Sequence, residues 1–213
     1  EEPAENAYRS SSGPETRSGR SFEELENVED VVLQRFGLGA EHGLHAAHWR
    51  TPQPGAHVAR AAMCYLQNQV DAAHGCPITM TSAVVPALQE QPELAAQWLP
   101  KITALQYDHR NIPMAQKSAI TVGMAMTEKQ GGSDVRANTL RAHPLGAGGP
   151  GQAYELVGHK YFVSAPMSDA FLVLAQSPAG LSCFFVPRVL PDFENPGGDG
   201  TLNEAANGLA GTS

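Results

Sequence analysis

The chain has 213 residues and a formal net charge of −8, from 14 Lys and Arg against 22 Asp and Glu. This length suits one large domain or two small ones, with enough residues to bury a sizeable core. The sequence has no cluster of Lys or Arg, so it shows no evident basic surface for binding nucleic acid. No apolar run approaches membrane-spanning length, so no membrane partner is expected.

The three cysteines, Cys64, Cys76 and Cys183, are far apart and show neither a CxxC motif nor a metal-ligand spacing. We therefore expect buried, reduced thiols in a cytoplasmic protein. The chain begins at Glu1 without a charged segment followed by an apolar one, so no secretory signal is expected. The absence of an initiator Met favours a fragment or a processed chain.

The N-terminal 36 residues divide into a polar part and an amphipathic part. Residues 1–21 are polar and are expected to form a disordered tail. Residues 22–36 predict a short helix, because four apolar side chains recur near helical spacing. These side chains are Leu25, Val28, Val32 and Phe36.

The clearest helix is predicted over residues 55–75, where one apolar stripe recurs at i, i+3, i+4 and i+7. The stripe consists of Val58, Ala61, Ala62, Tyr65, Leu66, Gln69, Val70 and Ala73. Gly75 and Pro77 should end this helix, because glycine and proline are typical of helix C-termini and the residues beyond them.

Two further helices follow at short intervals. One is predicted over residues 79–89, with a kink before Pro86, and the next runs from Pro92 to Pro100. Short connections between helices are typical of a bundle, so residues 22–118 are assigned to an N-terminal helical domain.

Three histidines, His42, His45 and His48, recur at every third position. A metal site needs ligands that converge from one face, whereas this spacing drifts around a helix, and no carboxylate trio accompanies the histidines. We therefore expect surface or packed histidines and no metal site.

The pattern changes to strands after Lys117. Strands are predicted over residues 119–126, 137–143, 154–164, 171–176 and 181–186. The Gly-rich segment 144–151 predicts a flexible hairpin loop and lacks the βαβ setting of a dinucleotide fingerprint. Because no helix separates the strands, antiparallel pairing is predicted and a Rossmann fold is excluded.

The predicted fold class is therefore α+β. An N-terminal helical, bundle-like domain precedes a partial antiparallel β-domain over residues 119–190. Residues 191–213 are rich in Gly, Asn and Ala, and are expected to form a second disordered tail.

The segment 124–135 is the most informative part of the chain, because an apolar strand runs into a turn with hydroxyls and glycines. Gly131 and Gly132 permit a tight bend and a close approach to a ligand, and Thr127 and Ser133 bracket the turn. These residues fit a phosphate- or cofactor-binding loop or an ordinary β-turn. Spacing alone favours the turn, since adjacent glycines are common.

The run MTEKQGGSDV at residues 126–135 resembles the flavin-contacting motif of the acyl-CoA dehydrogenase superfamily, which usually reads TEPxAGSD. The KQG variant is similar to the AidB-like branch, whose flavoprotein belongs to the adaptive response to DNA alkylation. Other segments resemble the family in the same order, at residues 76–81, 156–160, 168–170, 172–176 and 180–188. The resemblance covers residues 56–192 and corresponds to the front half of such a protein.

This resemblance implies FAD as cofactor and two sets of flavin contacts. In the first set, Met124, Ala125, Met126 and Thr127 line the flavin edge, and Thr127 hydrogen-bonds the pyrimidine end. Gly132 belongs to the same turn. Ser133 contacts the phosphate region of the flavin or the thioester region of the substrate.

The second set follows a Gly-x-Lys turn, where the family carries Trp-Ile-Thr and this chain carries Phe162, Val163 and Ser164. Strand geometry places Phe162 and Ser164 on one face, so an aromatic wall and a hydroxyl meet one ligand. Both substitutions keep the chemical type. The alternative is a half-buried strand with Phe162 in the core, and the neighbouring Thr127 motif favours flavin contact.

The resemblance assigns no catalytic residue to this chain, because the family's general base is a Glu from the C-terminal helical domain. Glu128 and Asp134 resemble an acid–base pair in sequence, but we expect turn-stabilising or surface carboxylates at these positions. The family's contacts to the adenine end of FAD are likewise expected beyond this chain.

Three functional interpretations remain open. The first is an incomplete FAD-dependent dehydrogenase that oxidises the α,β-bond of an acyl-CoA, from a family of homo-oligomers. The second is an AidB-like, DNA-associated flavoprotein of the alkylation response with weak turnover; DNA enters only through the resemblance, and the charge does not support it. The third is a truncated, catalytically inactive domain that packs with partners.

Overall fold

The computed structural model describes residues 37–190 and 201–202. The tails expected at 1–21 and 191–213, apart from 201–202, and the helix predicted over 22–36 lie outside the described residues. Among the residues that the structure describes, no helix has both the length and the apolar character needed to cross a membrane.

The described chain begins with helices, as predicted. After a helical turn at 37–41, they are α1 (Ala47–Arg50), α2 (Ala56–Val70), α3 (Gly75–Gln89) and α4 (Pro92–Ile102). The prediction that Gly75 and Pro77 end α2 is wrong, because α2 ends at Val70 and both residues lie in α3. Helix α3 thus begins four residues before the predicted start at 79, with Pro77 in its first turn, where a missing N–H costs nothing. Helix α4 continues past Pro100 to Ile102.

Helices α3 and α4 pack on one face of the sheet and form the first core with it. Trp98 of α4 meets Phe185 edge-to-face, with ring centroids 4.7 Å apart. The buried members of this core are Val84, Val85, Leu88, Trp98, Ile102, Ile120, Val122, Ala170 and Leu172. This layer fixes the strands that follow against the helical part.

Helix α2 lies at the periphery, and its apolar stripe faces outward. The half-buried side of α2 carries Ala56, Arg60, Cys64 and Gln67, and Arg60 Nε donates to the Leu44 carbonyl at 2.8 Å. The stripe therefore has no packing partner among the residues that the structure describes. A helical period shows that two faces differ, but not which face meets a neighbour.

The sheet contains six strands. They are β1 (Val122–Thr127), β2 (Arg141–Pro144), β3 (Tyr154–Val157), β4 (Phe162–Ser164), β5 (Ala170–Ser177) and β6 (Gly180–Pro187). Their order is β3-β2-β5-β1-β4, and β6 pairs with β5. A separate two-stranded pair joins β7 (Val189–Leu190) to β8 (Thr201–Leu202).

The α+β class is confirmed, but the sheet is mixed rather than wholly antiparallel. Strands β1 and β5 run parallel, with Val122 opposite Ala170 and Ala125 opposite Val173, and β2 also meets β5 in parallel. A parallel pair needs a long crossover, which usually contains a helix. Here the connection from β1 to β5 contains β2, β3 and β4. Because this connection has no long helix, the sequence contained no sign that β1 and β5 are parallel.

The predicted strand over 154–164 is two strands that belong to opposite ends of the sheet order. The chain turns at Gly158, which has φ +144°. A Cβ atom at this position would lie 2.8 Å from Leu140 Cδ1. Both the backbone angle and the close approach therefore require glycine here.

A second core lies on the other face of the sheet. Its buried members are Ala125, Leu140, Ala142, Phe171, Val173, Ala175 and Val186. Because β5 contributes Phe171 and Val173 here and Leu172 to the first core, this strand is buried on both faces, as its apolar sequence requires.

The cysteines and histidines occupy less uniform environments than expected. All three cysteines are free, but Cys64 is half-buried, and Cys76 and Cys183 are exposed, so the expectation of burial is wrong. His45 and His48 are buried, whereas His42 lies at the surface. Within 37–190 and 201–202, no three His, Cys, Asp or Glu side chains are grouped to hold a metal ion.

Candidate functional site

Strand β4 pairs with β1 at the edge of the sheet and joins the two predicted contact sets. Met124 lies opposite Ser164, and Thr127 lies opposite Phe162. Three residue steps on β1 match two steps on β4, so the strand register shifts by one residue between Met124 and Thr127. Residues nearly forty positions apart in sequence therefore share one short stretch of strand pairing.

The paired residues differ in how far they reach solvent. Phe162 is 60% exposed, while Met124, Thr127 and Ser164 are half-buried. Phe162 does not occupy the core, which removes the alternative of a core aromatic at this position. An aromatic face and two hydroxyls thus lie at an accessible edge, although their contact with a flavin remains a prediction.

Three other predicted residues have different surroundings. Ala125 is fully buried in the second core, and Val163 packs against that core. Met126, like Met124, is half-buried and packs against the first core. Ala125 therefore presents no side-chain surface to a ligand, and the predicted contact at this position reduces to its backbone.

The turn after β1 uses its two glycines for different reasons. Gly131 has φ +96°, a backbone conformation that disfavours residues with a Cβ atom, and its N–H donates to the Glu128 carbonyl at 2.9 Å. At Gly132, an added Cβ would lie 3.2 Å from Thr127 Oγ1. A side chain at Gly132 would therefore crowd the Thr127 hydroxyl, which the bare backbone leaves accessible.

The hydroxyl groups at this edge have unused hydrogen-bonding capacity. Thr127 Oγ1, Ser133 Oγ and Ser164 Oγ make no hydrogen bond to any other residue that the structure describes. Ser133 is exposed in the short 3-10 helix Gly132–Ala137. Each hydroxyl can donate one hydrogen bond and accept others, so the edge offers several partners to a polar ligand.

A buried ion pair fixes the turn from behind. Lys160 Nζ lies 3.0 Å from Glu128 Oε1, and both side chains are almost fully buried. Glu128 Oε2 accepts from Thr139 N at 2.6 Å and Thr139 Oγ1 at 2.8 Å, and Oε1 accepts from Leu140 N at 3.0 Å. Glu128 therefore connects the end of β1, the start of β4 and the approach to β2.

The backbone at the end of β1 is also anchored by side chains. Asn138 Nδ2 donates to the Met126 carbonyl at 2.8 Å, and Lys160 Nζ lies 3.4 Å from the same oxygen. Gln130 Nε2 donates in turn to Asn138 Oδ1 at 3.0 Å. These contacts hold the residues before Thr127 in one position, which favours a preorganised edge.

The lowered pKa of Glu128 does not suit a general acid or base. Burial raises the pKa of Glu128, but hydrogen bonds from Thr139, Leu140 and Lys160 outweigh burial and hold the pKa at about 2. Burial lowers the pKa of Lys160, partly offset by Glu128. Glu128 is thus a turn-stabilising carboxylate, and Asp134 is a surface carboxylate 3.9 Å from Arg136.

Sequence reasoning missed the role of Lys160. It lies in the segment 156–160 that was recognised as family-like, but no contact was assigned to it. A lysine between two apolar strands is a signal in itself, because a buried ammonium group needs an anionic partner. Glu128, within the turn motif, was the available partner.

The buried carboxylate of Glu128 should make the stability of the fold depend on pH. A group whose pKa is lower in the folded chain stabilises fully above its unfolded pKa, and the contribution disappears as pH falls through the folded pKa. For Glu128, stability should fall between pH 4.5 and about 2. Urea unfolding at a series of pH values in this window gives the free energy of unfolding as a function of pH. This free energy should depend less on pH in Glu128→Gln than in the parent chain, and an equal pH dependence in both would contradict the assignment.

Two family models match the chain in sequence order. The Adaptive response protein AidB N-terminal domain matches residues 34–109, and the Acyl-CoA dehydrogenase middle domain matches residues 123–202. AidB of Escherichia coli strain K12 is 51% identical over 163 residues, which are 76% of this chain and 29% of that protein. The chain therefore spans less than a third of this relative's length.

Solved structures share the fold. Caenorhabditis elegans ACDH-11, in complex with C11-CoA, superposes with a TM-score of 0.61 at 23% identity, over 81% of this chain and 29% of that one. A Bacillus anthracis acyl-CoA dehydrogenase complexed with FAD superposes with a TM-score of 0.56 at 21% identity, over 78% and 28%. At these identities the likeness establishes the fold alone.

Helices on one face of a mixed sheet, with a glycine turn beside an accessible strand edge, define the front part of an acyl-CoA dehydrogenase-like fold. The chain belongs to the acyl-CoA dehydrogenase superfamily, in its AidB-like branch. Family membership and branch both confirm the resemblance seen in the sequence.

Proposed function

We propose that this chain supplies one wall of the flavin site of an FAD-dependent, acyl-CoA dehydrogenase-like oxidoreductase. The observation that carries the proposal is the pairing of Thr127 with Phe162 and of Met124 with Ser164 on adjacent strands. This pairing joins the two segments that resemble the family's flavin contacts. The 51%-identical protein is named a putative acyl-CoA dehydrogenase, which supports the class of reaction, and proteins solved with C11-CoA and with FAD share the fold.

The residues at the edge fit the chemistry of an isoalloxazine ring. A flavin has a flat, apolar body and a polar pyrimidine end, so its site needs both an apolar wall and hydrogen-bonding groups. Phe162 and Met124 provide apolar surface. Thr127 and Ser164 provide hydroxyls that no described residue engages. A Cβ at Gly132 would fill the space beside Thr127 Oγ1.

FAD held at this edge would supply the acceptor for the hydride that leaves the β-carbon of an acyl-CoA. Thr127 and Ser164 act by donating hydrogen bonds to the ring, which favours negative charge there. The Glu128–Lys160 pair acts indirectly, because it holds the turn on which Thr127 lies. The exposed ring of Phe162 would shield one side of a flavin bound here from water.

The proton on the α-carbon needs a base, and the carboxylates at this turn do not fit that role. Glu128 is committed to two backbone N–H groups, the Thr139 hydroxyl and Lys160. Asp134 points into solvent beside Arg136. We therefore assign no catalytic residue to this chain, and the complete reaction requires a base from elsewhere in a longer protein.

Flavin retention tests the site. The double variant Thr127→Ala/Ser164→Ala should bind FAD about 30-fold more weakly, because it loses two hydrogen bonds of about 1 kcal/mol each. Titration of purified apoprotein with FAD, followed by flavin absorbance and fluorescence, gives the dissociation constant. Ser177→Ala/Ser182→Ala is a matched control, because these hydroxyls bond to each other at 2.9 Å across the β5–β6 turn.

Equal FAD affinity in the double variant and the parent chain would contradict the site assignment. Failure of the parent chain itself to take up FAD would contradict the wider flavoprotein proposal for this chain. Reduction of an electron-accepting dye in the presence of an acyl-CoA would extend the proposal from binding to turnover.

The match of residues 34–109 to the AidB domain favours a second candidate, a DNA-associated flavoprotein of the alkylation response with weak turnover. The net charge of −8 opposes it. If it holds, retardation of duplex DNA should weaken steeply as salt rises, because phosphate contacts release counterions. Absence of retardation at low salt would remove this candidate for this chain.

A further inference from the structure

Ala165 has a backbone conformation that is unusual for a residue with a Cβ atom. Its φ is +53°, and among residues 37–190 and 201–202 it is the one non-glycine residue with a positive φ. The left-handed region is disfavoured for such residues, because Cβ approaches the following carbonyl oxygen. It persists only where surrounding contacts impose it, and such positions cluster at functional sites. Ala165 directly follows Ser164, whose hydroxyl belongs to the proposed flavin edge.

The path of the chain explains why a sharp bend is needed here. Strand β1 lies between β4 and β5 in the sheet, and Ser164 ends β4 while Ala170 begins β5. Neighbouring strands are about 4.8 Å apart, so residues 165–169 must cross about 10 Å around the start of β1. They must also reverse the chain direction, because β4 is antiparallel to β1 and β5 is parallel to it.

Hydrogen bonds hold the chain that follows the bend. Ser168 N donates to the Ala165 carbonyl at 2.9 Å, and Asp169 N donates to the Thr121 carbonyl at 3.0 Å. The Asp169 carboxylate accepts in return from Thr121 N at 2.9 Å. Lys117 Nζ lies 2.6 Å from Asp169 Oδ1, and both side chains are almost fully buried. The chain beyond Ala165 is thus fixed to the segment that precedes β1.

Close packing holds the chain that precedes the bend. The Ser164 carbonyl oxygen lies against Gly123 of β1, where an added Cβ would clash with it. This carbonyl belongs to the planar peptide group between Ser164 and Ala165, so its orientation is coupled to the φ of Ala165. Pro166 adds a local restriction, because the right-handed α region is disfavoured for the residue before a proline. A change of φ at Ala165 therefore rotates this peptide group and moves Ser164.

We propose that Ala165 is a positioning residue for the flavin edge. Its left-handed conformation orients the peptide group after Ser164 and so fixes where the Ser164 hydroxyl lies. This inference rests on the flavin site proposed above, in which Ser164 donates a hydrogen bond to the ring. Ser164 is half-buried, and its hydroxyl has no hydrogen-bond partner among the described residues, so its position follows from the backbone.

Two substitutions that both enlarge the side chain separate backbone conformation from bulk. Ala165→Val should weaken FAD binding about fivefold, the effect of losing one hydrogen bond, because a β-branched residue strongly disfavours the left-handed region. Ala165→Asn should keep the affinity of the parent chain, because Asn tolerates this region. Titration of the purified apoproteins with FAD gives the three dissociation constants.

A double-mutant cycle with Ser164→Ala distinguishes positioning from a purely structural role. In that background Ala165→Val should cause no further loss of FAD affinity, because the hydroxyl that it displaces is already absent. If Ala165→Val does not fold, Pro166→Ala replaces it, since it removes the restriction on Ala165 at an exposed position. Pro166→Ala should speed amide exchange at Ser168 and weaken FAD binding only when Ser164 is present.

Three results would overturn the inference and leave the flavin site in place. They are parent-like FAD affinity in Ala165→Val, an equal loss in Ala165→Asn, and a further fivefold loss from Ala165→Val in the Ser164→Ala background. Parent-like affinity in Ser164→Ala alone would remove the hydroxyl contact and the inference together. A parent chain that binds no FAD would instead overturn the proposed function, on which the inference rests.

Discussion

Glu128→Ala should destabilise the fold by about 3–5 kcal/mol, the range expected when one partner of a buried ion pair is removed. The substitution leaves the Lys160 ammonium without its carboxylate, and leaves the N–H groups of Thr139 and Leu140 without their acceptor. These groups join three segments of chain, so the loss should appear in global unfolding. Urea denaturation followed by circular dichroism measures it.

Two variants isolate the cause. Asp134→Ala removes an exposed carboxylate from the same turn and should change stability by less than about 0.5 kcal/mol. Glu128→Gln/Lys160→Met removes both charges and should recover much of the loss, because no buried charge is then left without a partner. A cost of Glu128→Ala below about 1 kcal/mol would contradict the proposed role of the pair.

Gly123→Ala should cost about 3 kcal/mol, because overpacking at a rigid site forces the backbone to move. A Cβ at this position in β1 would clash with the carbonyl oxygen of Ser164 in β4, and would lie 2.8 Å from the buried Phe171 ring. Neither neighbour is the free end of a flexible side chain. The strand pairing that brings Ser164 to Met124 should therefore open.

This variant should lose FAD affinity as well as stability, because it separates the two halves of the proposed edge without altering any contact residue. Urea unfolding and FAD titration of the same preparation measure both effects. Gly146→Ala is the control: no atom lies within 4 Å of its added Cβ, so it should affect neither property. Gly123→Ala with parent-like stability would show that the β1–β4 pairing is different from the one described.

The local parts of the fold were predictable because their causes are local. The glycine turn needs a positive φ at Gly131, and two adjacent glycines predict such a turn from the sequence. The helices and the strands β1, β5 and β6 follow from apolar periodicity and from proline and glycine at their ends. Errors of a few residues arose where Pro77 entered the first turn of α3 and where α4 continued beyond Pro100.

The candidate site was predictable in its residue types but not in all its surroundings. Thr127, Phe162 and Ser164 were recognised by motif, and the structure brings them together at an accessible edge. A flavin contact was predicted at Ala125, but the side chain of Ala125 is fully buried, so only its backbone could make this contact. Lys160 was overlooked, because its partner Glu128 lies 32 positions away in sequence.

The sequence by itself determined the family, the order of helices and strands, and the two short segments from which the edge is made. The tertiary structure decided that β1 and β5 run parallel, that β4 lies beside β1, and that the α2 stripe faces outward. The physical reason is that apolar periodicity records which faces differ along one element. Strand partners and burial depend on contacts between distant segments, and these exist only once the chain has folded.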